Sequence, residues 1–187
     1  RLVFTLARYK FVSKMLDGKE DVAEIGCGDG FGARIVKQAV KNLLITDYDP
    51  YFIERFQGIS SDKYPITAMV HDILDKPLER KFNAIYSLDV LEHIPTLNED
   101  TFIKNIMLSL KDSGVLVLGM PSLESQSFAS SKSKMGHINC KTGLEFKELM
   151  ENYFDNVFLF SMNDEVVHTG FSKMAHYLFT VSSGLKC

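Results

Sequence analysis

Short, fully apolar runs alternate along most of this chain with longer segments whose apolar residues recur every three or four positions. Val22-Ala23-Glu24-Ile25, Leu43-Leu44-Ile45-Thr46, Ile66 to Val70, Phe82 to Leu88 and Gly114 to Met120 are the short runs, and they predict strands. The helical spacing predicts helices from Phe31 to Val40, from Pro50 to about Gln57 and from Asn98 to Leu110. Pro50 suits a first helical turn, where its missing N–H costs nothing. A further helix, Leu2 to Leu16, leads the chain and stops at Asp17-Gly18. Strands too apolar to have a wet face, each followed by a helix, imply a parallel sheet covered on both sides.

The pattern changes after Met120. Ser122 to Lys134 is serine-rich and predicts a loop, which in a lid position would meet an acceptor. Thr142 to Asn152 reads as a helix with Leu144, Phe146, Leu149 and Met150 inward. Val157 to Met162 and Ala175 to Ser182 read as two final strands. Their connection, Asn163 to Lys173, is too short for a helical crossover, so the pair is expected to be antiparallel. The expected architecture is α/β: one domain over residues 1–187, with a leading helix within 1–20, a lid segment at 121–141, and a seven-stranded, mostly parallel sheet ending in an antiparallel strand.

Composition sets bounds on this picture. The 187 residues are 45% hydrophobic and 24% charged, with a net charge of −3. That balance is globular and carries no basic footprint for nucleic acid. Cys27, Cys140 and Cys187 form no paired motif, so a disulfide framework is not expected and a reducing cytoplasm is. No apolar run reaches the roughly 18 residues of a membrane span. The chain begins at Arg1, which leaves room for a preceding segment.

The most telling stretch is Glu24-Ile25-Gly26-Cys27-Gly28-Asp29-Gly30-Phe31-Gly32, a strand running into a glycine-rich turn. Glycine admits positive φ and close approach of a ligand to the main chain, and such a turn before a helix can present N–H groups to a nucleotide. Gly28 to Ala33 even satisfies the dinucleotide pattern G-x-G-x-x-G/A, with Asp47 at about the spacing of a ribose carboxylate. Three features argue for another nucleotide. Glu24 offers a carboxylate to an ammonium group, which a nicotinamide dinucleotide lacks and S-adenosylmethionine carries. Asp72, beside Ile73 at the end of the third strand, could accept from an adenine amino group. The fourth strand ends in Ser87-Leu88-Asp89-Val90-Leu91-Glu92-His93-Ile94.

With these pieces, and with Leu110 to Leu116 leading into the fifth strand, the chain resembles the class I S-adenosylmethionine-dependent methyltransferases, in the group that includes small-molecule and ubiquinone-type enzymes. The resemblance spans about Asp21 to Met120 and implies a Rossmann-like sheet with S-adenosylmethionine as cofactor and S-adenosylhomocysteine as product. It implies that Gly26, Cys27 and Gly28 approach the methionine moiety, that Asp47 holds the ribose hydroxyls, and that Tyr48 flanks them. Asp72 and Ile73 would bind adenine, and the Ser87 and Leu88 carbonyls would face the sulfonium region.

Methyl transfer is in-line displacement at an activated carbon, so alignment is the main task. An oxygen acceptor also has a proton to lose, which suits histidine. His93, His137 and His168 are the candidate bases; His71 and His176 read as structural. Tyr9 and Lys10 are candidates to close over the cofactor. The histidines and acids lack paired metal-ligand spacing, so no metal is expected. The expected acceptor is a small polar metabolite (a sugar, nucleotide-linked or phosphate-bearing compound), methylated on oxygen rather than nitrogen. The expected enzyme is a monomer or homodimer with no nucleic-acid partner. A protein or nucleic-acid methyltransferase, and a non-catalytic module of the same fold, are the alternatives.

Overall fold

In the computed structural model, residues 2–58 and 63–186 are described. The elements follow the order α1 (Leu2–Met15), β1 (Asp21–Ile25), α2 (Ala33–Lys37), β2 (Asn42–Asp47), α3 (Pro50–Gln57), β3 (Thr67–Val70), β4 (Phe82–Leu88), α4 (Glu99–Leu108), β5 (Leu110–Pro121), α5 (Ser131–Gly136), α6 (Gly143–Glu151), β6 (Phe154–Asn163), β7 (Val166–His168) and β8 (Tyr177–Leu185). They form one sheet in the order β3-β2-β1-β4-β5-β8-β6-β7. The pairs among β1 to β5 are parallel, and β8 runs antiparallel to both β5 and β6.

The expected α/β architecture is therefore present, including the antiparallel pairing of the last two long strands. The sheet has eight strands rather than seven. Asp164, at φ +51, turns the chain tightly, and Val166–His168 pairs back on β6. Two helices, α2 and α4 (Glu99–Leu108), are shorter than their sequence spacing suggests. α2 holds only Ala33–Lys37, and the chain is already in β2 at Asn42.

Helices cover both faces, and each strand divides its residues between them. On one face Ile25, Ile85 and Leu118 pack with Phe102, Ile103 and Ile106 of α4 and with Phe146 and Met150 of α6. On the other, Val22, Tyr86, Val117 and Phe179 pack with Tyr9, Val12 and Leu16 from the leading helix and its end, and with Val36 of α2. Burying both faces explains why these strands read as continuous apolar runs rather than alternating ones.

The order of connection reverses between β1 and β4, which are neighbours although β2 and β3 intervene in sequence. At such a switch the following loops diverge and leave a crevice beyond the carboxyl ends of the strands. The glycine turn after β1, Asp47 at the end of β2 and the Asp89–His93 segment after β4 all open on that crevice.

The serine-rich segment is not an unstructured loop. Glu124–Phe128 forms a short 3-10 helix, Ser130 caps α5 by accepting from the Ser133 N–H, and Ser122 donates to the Ala175 carbonyl at 2.6 Å. Nor is its surface uniformly polar, as composition suggests. Phe128 is 93% exposed and Met135 76%.

Candidate functional site: the carboxyl edge of β1 and β4

The glycine turn is shaped by two constraints. Gly26 has φ +76, and a Cβ there would run into the Val90 side chain. Gly28 has φ +52 with open space where a Cβ would stand, so a ligand can reach the main chain at that point. Five of the turn's N–H groups are spent within the protein. Those of Gly26 and Cys27 donate to the Thr46 carbonyl, that of Gly30 to the Cys27 carbonyl, and that of Phe31 to the Asp29 carboxylate. The Gly28 N–H donates to Asp47 Oδ2 at 2.9 Å. A phosphate cradle needs such groups free. This turn suits a ligand that approaches without a phosphate, and the dinucleotide reading loses its main support.

Asp47 closes β2 and is buried, with its second oxygen accepting from the Asp49 N–H at 3.0 Å. An ionised carboxylate can accept about four hydrogen bonds, so both oxygens retain capacity for ribose hydroxyls. Tyr48 beside it is 73% exposed and free to flank a sugar. Asp72 is exposed, with one oxygen accepting from the Leu74 N–H. Ser87 and Leu88 end β4 as buried residues, and the Ser87 hydroxyl ties β4 to β1 by donating to the Ile25 carbonyl. Cys27 is buried, and burial pushes its thiol well up, so it is inert packing at the turn.

Three residues expected in the site are elsewhere. Glu24 is fully buried, and its two oxygens accept from the hydroxyls of Tyr9 and Tyr86, each at 2.8 Å. It receives no ligand ammonium; it fastens α1 to the sheet beneath the turn. Ile73 is 5% exposed within the core, and its carbonyl accepts from Asn105, so its side chain has no free face for adenine. His168 is held in its own hairpin, with Nε2 against Asn163 Oδ1 and Nδ1 accepting from the Gly170 N–H. β7 lies four strand spacings from β4, roughly 19 Å at ~4.8 Å per strand. His168 cannot serve an acceptor at the β4 edge from there.

His93 and His137 do come together. Their ring centroids are 5.2 Å apart in a T-shaped arrangement. His93 follows β4 on a short 3-10 turn, Leu91–His93. His137 arrives from the end of α5, and a polar knot sets its position. Asn139 donates through its backbone to the Glu92 carbonyl and through its side chain to Glu99, while Lys141 bridges Asn139 and Glu99, the latter at 2.8 Å. Each imidazole is also oriented. His93 Nδ1 lies 2.8 Å from the Gly136 carbonyl, and His137 Nδ1 lies 2.8 Å from Gln126 Oε1. The Gln126 amide nitrogen donates to Ser122 and Ser125, so its oxygen must face the histidine. Both Nδ1 atoms therefore carry the proton, and both Nε2 lone pairs are left available. Burial, and then His93, pulls the His137 imidazole below its usual range.

Three further residues complete this edge: Asp89 and Glu92 stand in the motif that ends the fourth strand, and Arg8 carried no sequence signal. Glu92 is fully buried beside the two histidines, and its carboxylate oxygens have no hydrogen-bond partner among the described residues. Burial, with Asp89 next, holds its carboxyl well above the usual range. Glu92, His93 and His137 can bring one ligand atom each to within 4.8 Å of one another. Asp89, at φ +57, is gripped by Arg8 of α1 through both oxygens, at 2.8 and 3.0 Å. The guanidinium also lies over the Tyr177 ring, 3.8 Å from its centroid. The leading helix thus reaches the β4 edge through Arg8, whereas Lys10 is exposed and Tyr9 is turned to Glu24. Glu92 was legible in the Glu-His pair, but its burial was not.

A family model for a methyltransferase domain matches residues 4–155. A probable S-adenosylmethionine-dependent methyltransferase of Mycobacterium tuberculosis (strain CDC 1551 / Oshkosh) is 25% identical over 104 residues, covering 54% of this chain and 36% of that protein. Another from Mycolicibacterium smegmatis is 24% identical over 104 residues, covering 54% and 38%. The matched stretch thus spans little more than a third of these curated relatives. Among solved structures, the methyltransferase domain of bacterial CtHen1 superposes with TM-score 0.76 at 16% identity, covering 97% of each chain. The N-methyltransferase NodS from Bradyrhizobium japonicum WM9 does so with TM-score 0.70 at 19%, covering 97% of this chain and 94% of its own. At these identities the structural likeness is one of fold.

Two outcomes follow from the buried Glu24. Burial first of all raises its carboxyl to about 7, above the unfolded value near 4.5. The folded state therefore holds the proton more tightly. Its contribution is full below about pH 4.5 and is lost as pH rises to about 7, a change of about 3 kcal/mol at ~1.4 kcal/mol per unit. Glu24→Gln should remove that decline, so the wild-type-minus-variant difference in unfolding free energy should shrink toward high pH. Denaturant unfolding at pH 5 and pH 7.5 measures it; an unchanged difference would refute the assignment. Tyr9→Phe, which strands one Glu24 oxygen, should cost about 1–3 kcal/mol in the same measurement.

Proposed function

The chain belongs to the methyltransferase-domain family of class I S-adenosylmethionine-dependent enzymes, and we propose that it moves a methyl group from that cofactor to a hydroxyl oxygen of a small acceptor. The observation that carries the oxygen reading is the meeting of His93 and His137 on Glu92, just beyond the strand end where the methyl would lie.

The residues present fit the cofactor. Gly28 leaves its main chain open, and Gly26 and Cys27 would line the methionine moiety with it. Asp47 would receive the ribose hydroxyls, Tyr48 would cover the sugar, and Asp72 would accept from the adenine amino group. The backbone of Ser87 and Leu88 would border the sulfonium region. When bound, the cofactor supplies a methyl carbon already activated by a positive sulfur. The protein's tasks are to hold the acceptor in line and to manage its proton. The Nε2 atoms of His93 and His137 are the groups placed for the second task, and neither is needed for a thioether or an already neutral amine.

The acceptor is proposed to be a small metabolite with a polar end. The exposed Phe128 and Met135 on the lid segment 121–141 would suit an apolar remainder, which composition alone argued against. The protein is proposed to act in the cytoplasm.

Isothermal titration with S-adenosylhomocysteine tests the cofactor claim. One molecule should bind per chain in the micromolar range, and no heat at high micromolar concentration would sink the reading. Asp47→Ala should weaken binding by roughly 10–100-fold, the loss of hydrogen bonds to a charged group worth about 1.5–3 kcal/mol. Equal affinity in that variant would remove Asp47 from the site.

A further inference from the structure

We propose that two copies of this chain pair through the outer edge of β6, about a two-fold axis at Val157. β6 is bonded to β8 along most of its length, but β7 covers its other side only at Ser161, Met162 and Asn163. Residues 154–160 therefore have a strand on one side alone. β3, at the far end of the sheet, presents a shorter edge, Thr67–Val70. An open edge is a template for another strand, and proteins commonly blunt it with proline or lysine. Residues 154–160 contain neither, and Phe158 is 59% exposed among them.

The hairpin fixes which main-chain groups face outward. Asn163 and Val166 close the two-residue turn as a pair, so Asn163 and Ser161 direct their N–H and C=O groups toward β7. Met162 faces the other way, its carbonyl accepting from the His176 N–H just before β8. The direction alternates along an antiparallel strand. The main-chain groups of Asp155, Val157 and Leu159 therefore point away from β8, along the uncovered side.

Beside this edge lies a cavity of about 360 Å3. Lys147 of α6, Val157, Leu159 and Ser161 of β6, and Thr169 and Ser172 beyond β7 are among its walls. Side chains alternate between the faces of a strand, so Asp155 lies on the same face as Val157 and Leu159, the face that α6 covers. Asp155 is exposed. Lys147 is tied only to Glu151, at 3.2 Å and with both side chains about half exposed, which is a weak bond in water.

The edge is complementary to itself. With the axis at Val157, residue 154 meets residue 160 of the other copy, so the whole free edge is used and each β7 begins just beyond the join. Asp155 stands opposite the partner's Leu159, where the partner's cavity opens beside the partner's Lys147. Phe158 stands opposite the partner's Asn156 and diagonal to the partner's Phe158, within reach of an aromatic contact. The two Asp155 carboxylates stay at opposite ends of the join. This match in length and charge selects a second copy of the chain, and a two-fold dimer is the commonest closed assembly. The join lies three strand spacings from β4, roughly 14 Å at ~4.8 Å per strand, so both crevices stay open. The pairing does not depend on the methyl-transfer reading.

Sedimentation velocity on the whole chain, from about 1 to about 100 µM, tests the proposal. Wild type should pass from monomer to dimer within that range. Phe158→Lys and Asp155→Lys should each raise the dissociation constant by about tenfold or more, because each sets like charges near one another across the axis. Asp155→Lys combined with Lys147→Glu should restore the dimer, since the pair is then reversed rather than lost. Cooperative melting confirms that each variant folds. A wild type that stays monomeric at the highest concentration overturns the proposal, even if this edge then captures a foreign peptide. A dimer that persists unchanged in Phe158→Lys and Asp155→Lys lies elsewhere on the surface and overturns it too. Failure of the double variant to restore pairing removes the Asp155–Lys147 contact and with it the axis at Val157.

Discussion

The architecture of this site depends on a carboxylate that the solvent never reaches. Glu24 sits on β1 directly under the glycine turn, and its oxygens accept from Tyr9 on α1 and Tyr86 on β4. One side chain thus joins the leading helix, the first strand and the strand across the switch point. Burying a carboxyl is costly, and the two hydroxyl donors compensate only in this arrangement. The consequence is positional. With Tyr9 fixed, its ring packs where a Cβ on Gly32 would otherwise stand, and Arg8 one residue earlier reaches Asp89 at the end of β4. The helix that would otherwise be a loose N-terminal attachment becomes a wall of the crevice.

A second polar knot does the same for the opposite wall. Glu99, Asn139 and Lys141 are drawn together with Thr96, so the segment after α5 is held against the loop after β4. Both knots are buried and largely satisfied, and satisfied networks fix one geometry where apolar packing would tolerate several. Between the two walls lie the Glu92 carboxyl, which has no hydrogen-bond partner among the described residues, and the open space beside Gly28.

How much of this the sequence discloses depends on whether a feature is local. The parallel strands were legible because both sheet faces are covered, so they read as mostly apolar runs. The turn was legible because Gly26 and Gly28 require a backbone that other residues resist. Asp47 and Asp72 were legible as strand-end acids. Glu24 was found by its position before the turn but given the wrong partner. Its true partners, Tyr9 and Tyr86, lie 15 and 62 residues away, and no spacing rule connects them. Ile73 looked like a surface for adenine because it is apolar and follows Asp72, yet in the turn beyond β3 its side chain goes into the core while Asp72 stays exposed. His168 belonged with the polar turn around it, and nothing local could say that its strand pairs at the far edge of the sheet. The serine-rich segment was misread for a related reason: its serines cap and bridge short helical turns, and composition cannot distinguish that from a solvated loop.

Glu92 and His93 show where the two kinds of information meet. In the sequence they are adjacent residues of one motif, with only His93 singled out as a candidate base. Adjacent residues on a 3-10 turn diverge, however, so one can face the core while the other faces solvent. That divergence lets a single dipeptide supply both a buried carboxyl and an exposed imidazole to the same place, and the knot at Asn139 brings His137 there from outside the turn. The glycine turn supplies a shaped surface whose N–H groups at Gly26, Cys27, Gly28, Gly30 and Phe31 are spent within the protein. On the β4 side Asp89 is paired with Arg8, and the buried Glu92 carboxyl, held well above the usual range, has no hydrogen-bond partner among the described residues. The β1–β2 side is thus fitted to hold a ligand, and the β4 side to act on one.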